Sequence, residues 1–273
     1  MKPTLSLSVV VLLGCVSSGC ATTGEVRAGD GSPTTTLALS RRDYLNALDA
    51  LRVGDYAASM EGLQKVARGP SYIVYSPLAR LRFADALLYQ EKFDEAGEAY
   101  RAFIETNSGD PNLHYAYFRL AESKVKSLAG DFFLVPPADR RDQKKVRSSL
   151  AALQDFVNRY PDSPYVLEAT AMLNRMTGIV TSFEMEVADF YTSRDKPGGA
   201  VSRIRRLMAE VPRAARLEDT RVAYVKALAA AGQAEALARE CEAYRELFPA
   251  GWQRTAVASL CPRPAPDAGA LPN

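Results

Sequence analysis

Apolar residues recur every three or four positions along most of the chain, from Leu39 to Leu260. This spacing places them on one face of an α-helix, and no run of alternating β-branched residues is long enough to predict a sheet. Glycine and proline, which end helices, separate the periodic stretches. The pattern therefore predicts an all-α domain.

A repeated helix pair is visible within this pattern. In the second unit, Ala96 is followed by an aromatic residue four positions later, Tyr100, and by another three positions after that, Phe103. This order is the signature of a tetratricopeptide-like unit, in which a small residue lets the two helices approach each other. The equivalent positions along the chain are 59, 96, 149, 200 and 237. We therefore expect a helical-repeat solenoid of about five helix pairs.

The spacing between these positions is near the usual repeat length at both ends of the chain and longer in the middle. A proline-containing insertion at 129–142 and a long helix from about Ser163 to Arg194 account for the excess. Insertions in a solenoid lie on a binding or packing face, because the stacked interior has no room for them. We expect N-terminal repeats at 39–128 and C-terminal repeats at 143–260.

The N-terminus carries an export signal. Lys2 precedes the apolar run Leu5–Leu13, which is too short to cross a bilayer and is typical of a secretory signal peptide. A cysteine that follows small residues then indicates lipid attachment, and both Cys15 and Cys20 qualify. Cys20 gives the better signal length, and lipidation there removes Cys15 with the signal and leaves Cys241 and Cys261 as a possible pair. We predict lipidation at Cys20, with Cys15 as the alternative, and a signal peptide at 1–19.

Residues 20–38 and 261–273 are rich in small and turn-forming residues, which predicts a flexible tether and a disordered tail. Cys241 and Cys261 remain after export. An oxidising compartment permits a disulfide between them, but the sequence is equally consistent with one buried and one exposed thiol.

Composition and charge narrow the function further. The 273 residues carry a formal charge of +2, which argues against a nucleic-acid partner. The single histidine, His114, excludes a histidine metal cluster or a catalytic triad, and we expect it to be packed and hydrogen-bonded. A basic run from Arg140 to Arg147 is interpreted as a solvated helix start, or as a contact for an acidic partner or lipid headgroups. We expect no cofactor, no metal and no enzymatic activity, and a repeat array of this kind is a protein-binding surface.

Two stretches resemble one family specifically. They are Pro161-Asp162-Ser163-Pro164-Tyr165, and Glu184-Met185-Glu186-Val187-Ala188-Asp189-Phe190-Tyr191 with Arg194, Gly199-Ala200-Val201 and Arg203 following. They are similar to the BamD (YfiO) family of lipoproteins of the outer-membrane β-barrel assembly machinery, and the resemblance extends from about Tyr44 to Pro212 and, more loosely, to Phe248. The segment Arg68–Tyr75 and His114, both in the N-terminal half, depart from the family pattern.

The resemblance implies a non-catalytic scaffold, anchored by lipid on the periplasmic face of the outer membrane. It implies that the C-terminal repeats dock the POTRA region of BamA, and that other Bam lipoproteins join the complex. The candidate contacts are Arg203, Tyr191, Arg194 and Asp189. Alternatively, Arg203 only covers its own helix pair.

The resemblance also implies that the N-terminal repeats receive unfolded outer-membrane proteins. The candidate groove consists of Tyr56, Phe83, Leu87, Tyr89 and Tyr117, although aromatic residues at helical spacing more often form the core. The competing hypothesis is a generic periplasmic repeat adaptor, such as a Tol-associated cell-division coordinator or a pilotin-like lipoprotein. Those proteins have repeats of more regular length.

Overall fold

The computed structural model describes residues 33–69, 74–128 and 143–261. The signal peptide, both candidate lipidation sites, residues 20–32 of the tether, the insertion at 129–142 and residues 262–273 lie outside these ranges, so the expectations for them stay predictions. Eleven α-helices occupy the described residues: α1 (Pro33–Arg52), α2 (Tyr56–Arg68), α3 (Ser76–Tyr89), α4 (Phe93–Thr106), α5 (Leu113–Ser127), α6 (Gln143–Arg159), α7 (Val166–Ser193), α8 (Pro197–Glu210), α9 (Glu218–Ala230), α10 (Ala234–Leu247) and α11 (Arg254–Leu260). Among them, none has the length and apolar character needed to cross a membrane.

Each helix packs mainly against its neighbours in the chain, from α1 against α2 through α9 against α10, and α11 closes the end against α9 and α10. Successive helices therefore form five pairs, which confirms the predicted all-α repeat fold. The predicted small positions Ser59, Ala96, Ser149 and Ala200 are all buried at the crossings. In the fifth pair the predicted position, Leu237, is only half-buried, and Cys241 is the buried residue at this crossing.

The turn within a pair has a recurring backbone form. Gly54, Glu91, Asp195 and Gly232 all have positive φ, between 59° and 83°, and each stands two residues before the second helix of its pair. Glycine adopts this left-handed conformation without a steric penalty, whereas other residues are strained by it. The same tight reversal thus sets the angle of four pairs, and the third pair contains the insertion instead.

The helix α7 joins the middle of the array to its C-terminal part. Its 28 residues, about 42 Å at 1.5 Å per residue, agree with the long helix predicted from the sequence. Leu173 and Val180 pack with residues of α5 and α6, whereas Ala188 packs with residues of α8 and α9. The N-terminal part of α7 therefore packs on the third pair, whereas the part around Ala188 packs on α8 and on α9 of the fifth pair.

The first helix begins earlier than expected. α1 starts at Pro33 and takes in residues 33–38, which the composition had assigned to the tether. Proline at the first helical position costs no hydrogen bond, and its fixed φ suits a helix start. The turn-forming composition of this segment therefore did not distinguish a tether from the first turn of a helix.

Candidate functional site

Arg203 and a buried carboxylate form the centre of the predicted partner-binding site. Glu184, on α7, has a side chain that is 2% exposed, and it lies between two guanidinium groups. Arg147 of α6 donates a hydrogen bond to its Oε1, and Nη1 of Arg203 on α8 lies 3.2 Å from its Oε2. The approach of Arg203 lacks hydrogen-bond alignment, because Oε2 accepts no hydrogen bond within the described chain. The two arginines therefore hold the carboxylate unequally.

A second carboxylate extends this group at the surface. Arg147 also donates to Oε2 of Glu210 at 2.6 Å, and Nε of Arg206 lies 3.8 Å from the other oxygen of Glu210. We call Arg147, Arg203, Arg206, Glu184 and Glu210 the guanidinium cluster. Three positive charges against two negative charges leave it with an excess of one positive charge, and it joins α6, α7 and α8.

Tyr191 lies beside this cluster. It lines a hollow of about 340 Å³ with Gly199, Ser202, Arg203 and Arg206. A Cβ atom on Gly199 would lie 2.5 Å from the Tyr191 ring, so the ring occupies the space that any other residue would fill. The glycine therefore allows the aromatic ring to pack closely on the start of α8.

The other two predicted contacts lie apart from Arg203. Arg194 places its guanidinium over the Phe190 ring, 5.0 Å from the ring centre. Asp189 lines a separate groove of about 330 Å³ between α7, α8 and α9, together with Ile204 and Lys226. The structure thus brings Tyr191 and Arg203 together and directs Asp189 into a different hollow.

The predicted groove in the N-terminal repeats does not form as one surface. Leu87 is 4% exposed and packs in the core of α3 and α4, so the expectation that it lines a groove is wrong. Phe83 lines a cleft between α2, α3 and α4 with Arg68 and Arg80. Tyr117 packs on Tyr160, with rings 5.5 Å apart. Only Tyr56 and Tyr89 stack on each other, with ring centres 6.3 Å apart.

A polar network lies behind this tyrosine pair. Asp85, which is 2% exposed, accepts hydrogen bonds from Tyr100 at 2.5 Å, Tyr115 at 2.8 Å and Arg82 at 2.7 Å. Burial, and then the neighbouring Asp85 carboxylate, raise the pKa of Tyr100 well above its usual value, so its hydroxyl stays a donor. Three donors satisfy this buried carboxylate and join α3, α4 and α5.

Arg119 connects that network to the surface. Its Nε donates to Tyr115 at 2.9 Å, and its Nη2 lies 3.3 Å from the hydroxyl of Tyr89. Its Nη1 donates to Glu122 at 2.6 Å, and Lys126 lies 2.9 Å from the other Glu122 oxygen. Burial alone would raise the pKa of Glu122, but the hydrogen bonds from Arg119 and Lys126 lower it below its usual value.

His114 is packed, as the sequence predicted. Its Nδ1 lies 3.2 Å from Oγ of Ser163, and its ring stacks on Tyr165 with centres 5.9 Å apart. No group of three or more potential metal ligands comes together in the described ranges. The histidine thus fastens the start of α5 to the turn before α7.

The C-terminal end is held by a disulfide and a hydrogen-bonded loop. Cys241 of α10 and Cys261 are bonded, with Cα atoms 5.9 Å apart. Glu218 accepts hydrogen bonds from Tyr244 at 2.6 Å and from the backbone N–H of Gln253 at 2.9 Å. The intervening Trp252, the single tryptophan, is 76% exposed. A hydrogen-bonded loop thus presents an indole ring to solvent.

Sequence reasoning identified only Arg203 among the five residues of the guanidinium cluster and missed the other four. Arg147 had been assigned to a solvated basic run, but it is paired with Glu184 and Glu210, which corrects that interpretation. Glu184 carried a detectable signal, since it falls four residues after Val180 and four before Ala188, both of which are buried. A glutamate in a buried helical stripe needs a positive partner.

Comparison with known proteins identifies a family that this chain matches over most of its length. Over residues 40–243 the chain matches the family model described as YfiO, outer membrane lipoprotein. The outer membrane protein assembly factor BamD of Rickettsia prowazekii is 22% identical over 209 residues, covering 76% of this chain and 77% of its own. BamD of Neisseria meningitidis serogroup A is 24% identical over 219 residues, covering 78% and 79%. Among solved structures, the P58(IPK) TPR domain is similar to this chain at 14% identity and a TM-score of 0.41, over 82% of this chain and 55% of that one.

Proposed function

Because the chain belongs to the YfiO family of outer membrane lipoproteins, we propose that it docks BamA through its C-terminal repeats and receives unfolded outer-membrane proteins through its N-terminal repeats. At the coarser level it is an outer membrane protein assembly factor of the BamD type, and it is not an enzyme. The two binding roles are the finer part of the assignment, and each rests on one group of residues.

The docking role rests on Arg203. A guanidinium has five N–H donors, and Arg203 forms an ion pair but no hydrogen bond with other described residues. Its side chain is 29% exposed beside the hollow that Tyr191 lines. A guanidinium whose N–H groups are not used in hydrogen bonds, next to an aromatic ring, is suited to a partner carboxylate, which it can bind through two hydrogen bonds. This availability of Arg203 is the observation that carries the docking proposal.

The client-binding role rests on Tyr56 and Tyr89. Their stacked rings lie at the surface, and Tyr89 is 50% exposed, with Arg119 behind it. Stacked aromatic rings offer a large rigid surface to the side chains of an extended polypeptide, and they lose little conformational entropy on binding. This pair replaces the wider five-residue groove as the proposed contact surface.

The experiment for the docking role is capture of BamA by the Arg203→Ala variant. We expect capture to weaken several-fold while the far-ultraviolet circular dichroism spectrum stays unchanged, because Arg147 still donates a hydrogen bond to Glu184. Arg245→Ala, on an exposed arginine of α10, is the matched control. Unchanged capture by Arg203→Ala would reject the role assigned to Arg203.

The client-binding role has its own test. A photoreactive amino acid at Tyr89 should crosslink to a newly exported, unfolded outer-membrane protein, whereas the same group at Leu167, which is 82% exposed on α7, should not. Equal crosslinking at the two positions would reject the tyrosine pair as the client surface.

A further inference from the structure

One buried carboxylate beneath two guanidiniums is an unusual feature of the C-terminal repeats. Glu184 is nearly inaccessible to solvent, whereas Arg147 and Arg203 are each about 30% exposed. A buried charge is costly unless it is paired, and here the pairing extends over three helices. The arrangement places a fixed negative charge directly below Arg203.

We infer that Glu184 is a positioning residue: it holds the Arg203 guanidinium in place for an acidic segment of the docking partner, and Arg147 in turn anchors Glu184. This inference rests on the proposed docking function. It adds two residues, Arg147 of α6 and Glu184 of α7, which act through Arg203 and not by binding the carboxylate of the partner. It also states the partner's chemistry, since the guanidinium cluster has one positive charge in excess.

The division of roles follows from the hydrogen bonds. Arg147 donates to both Glu184 and Glu210, so Glu184 keeps its orientation whether or not Arg203 moves. Arg203 has only the ion pair at 3.2 Å, which restricts its side chain but leaves its N–H groups free. Ordering a long side chain in advance removes part of the entropy cost of binding. Arg147 is therefore the anchor, and Arg203 is the residue presented to the partner.

The two effects of Glu184 on binding have opposite signs. Its charge attracts Arg203 and fixes it, but the same charge also lowers the positive potential that draws a partner carboxylate. Glu184→Gln removes both effects, whereas Glu184→Asp keeps the charge and shortens the side chain by one methylene. Positioning predicts weaker binding in both variants. An effect of the potential alone predicts tighter binding for Glu184→Gln and no change for Glu184→Asp.

The experiment is a double-mutant cycle on the full-length lipoprotein in detergent, titrated with the purified POTRA region of BamA. Glu184→Asp and Glu184→Gln are each measured alone and together with Arg203→Ala, and thermal unfolding is recorded for every variant. Glu168→Gln, on an exposed glutamate in the first turn of α7, is the control. We expect each Glu184 variant to weaken binding roughly two- to tenfold, the range that freeing one long side chain implies. In the Arg203→Ala background the same changes should have no effect.

The possible outcomes separate the two proposals. If the wild-type protein does not bind the POTRA region, the proposed docking function fails. If it binds and Arg203→Ala weakens binding, but the Glu184 variants weaken it equally with and without Arg203, Glu184 is a general structural residue and the inference is overturned. Unchanged or tighter binding by either Glu184 variant also overturns it. Loss that depends on Arg203 supports it.

Discussion

Arg147 donates a hydrogen bond to Glu184, whereas Arg203 forms only an ion pair with it, and this difference predicts unequal losses of stability when each arginine is removed. Arg147→Ala removes the hydrogen-bonded partner of a carboxylate that is 2% exposed, and it also frees Glu210. Removing one partner of a buried pair costs about 3–5 kcal/mol. Arg147 is 30% exposed and Arg203 remains 3.2 Å from the carboxylate, so we expect a cost below that range, about 2–3 kcal/mol.

Arg203→Ala is expected to cost much less. It leaves the hydrogen bond from Arg147 to Glu184 in place and removes an ion pair without hydrogen-bond alignment. A partly exposed pair of this kind contributes about 0.5–1 kcal/mol. Arg206→Ala, from an arginine 52% exposed and 3.8 Å from Glu210, is the control and should have almost no effect.

Urea unfolding, followed by far-ultraviolet circular dichroism, measures the three free energies, and thermal unfolding gives a second measure. For a domain of this size each kcal/mol corresponds to roughly 2–4 °C in the melting temperature. The melting temperature should fall by about 4–12 °C for Arg147→Ala and by about 1–4 °C for Arg203→Ala. A cost for Arg203→Ala equal to or greater than that for Arg147→Ala would refute the assignment of Arg147 as the anchor.

Three further predictions concern other parts of the molecule. Gly198→Ala should stabilise the protein by up to about 1 kcal/mol in urea unfolding because its Cβ meets open space, whereas Gly199→Ala should give no gain or a loss because its Cβ would strike an aromatic ring; equal gains would contradict the packing. Cys261→Ser opens a loop closed over a sequence separation of 20 and should destabilise the C-terminal end by about 2–4 kcal/mol, seen as earlier unfolding by Trp252 fluorescence; an unchanged transition would contradict it. The pKa of Glu218 is lowered, since hydrogen bonds from a tyrosine and two backbone N–H groups outweigh the raising effect of desolvation, so its contribution is present above pH 4.5 and is lost as the pH falls through its folded value. Trp252 emission should change below pH 4.5 in the wild type and be independent of pH there in Glu218→Gln, and an identical acid transition in both would exclude Glu218 as its cause.

The repeat fold was predictable because each helix pair requires a small residue at one particular position. Two helices can approach closely only where a residue is small, and Ala96, Ser149 and Ala200 mark those crossings in the sequence. The length of α7 was predictable as well, since its apolar period continues through Gly178 and meets no proline over 28 residues. Local chemistry was sufficient for both features.

Other features depend on contacts between residues that are far apart in the sequence. Arg147 and Glu184 are 37 positions apart, and only the crossing of α6 with α7 brings them together. Leu87 was misassigned because α3 is covered on several sides, with Ala84, Asp85 and Leu88 also buried. When a helix is covered nearly all round, its apolar pattern no longer shows which face is free. The division between surface and core therefore required the three-dimensional packing.

Affinity capture from solubilised envelopes tests the assembly role most directly. The lipidated protein is expressed at its natural level, extracted in mild detergent and captured, and its partners are identified by mass spectrometry. BamA should be recovered as the principal partner, together with other Bam lipoproteins, and its recovery should fall for Arg203→Ala. Recovery of Tol-system or pilus secretin components without BamA would instead identify the protein as a generic periplasmic adaptor and contradict its assignment to β-barrel assembly.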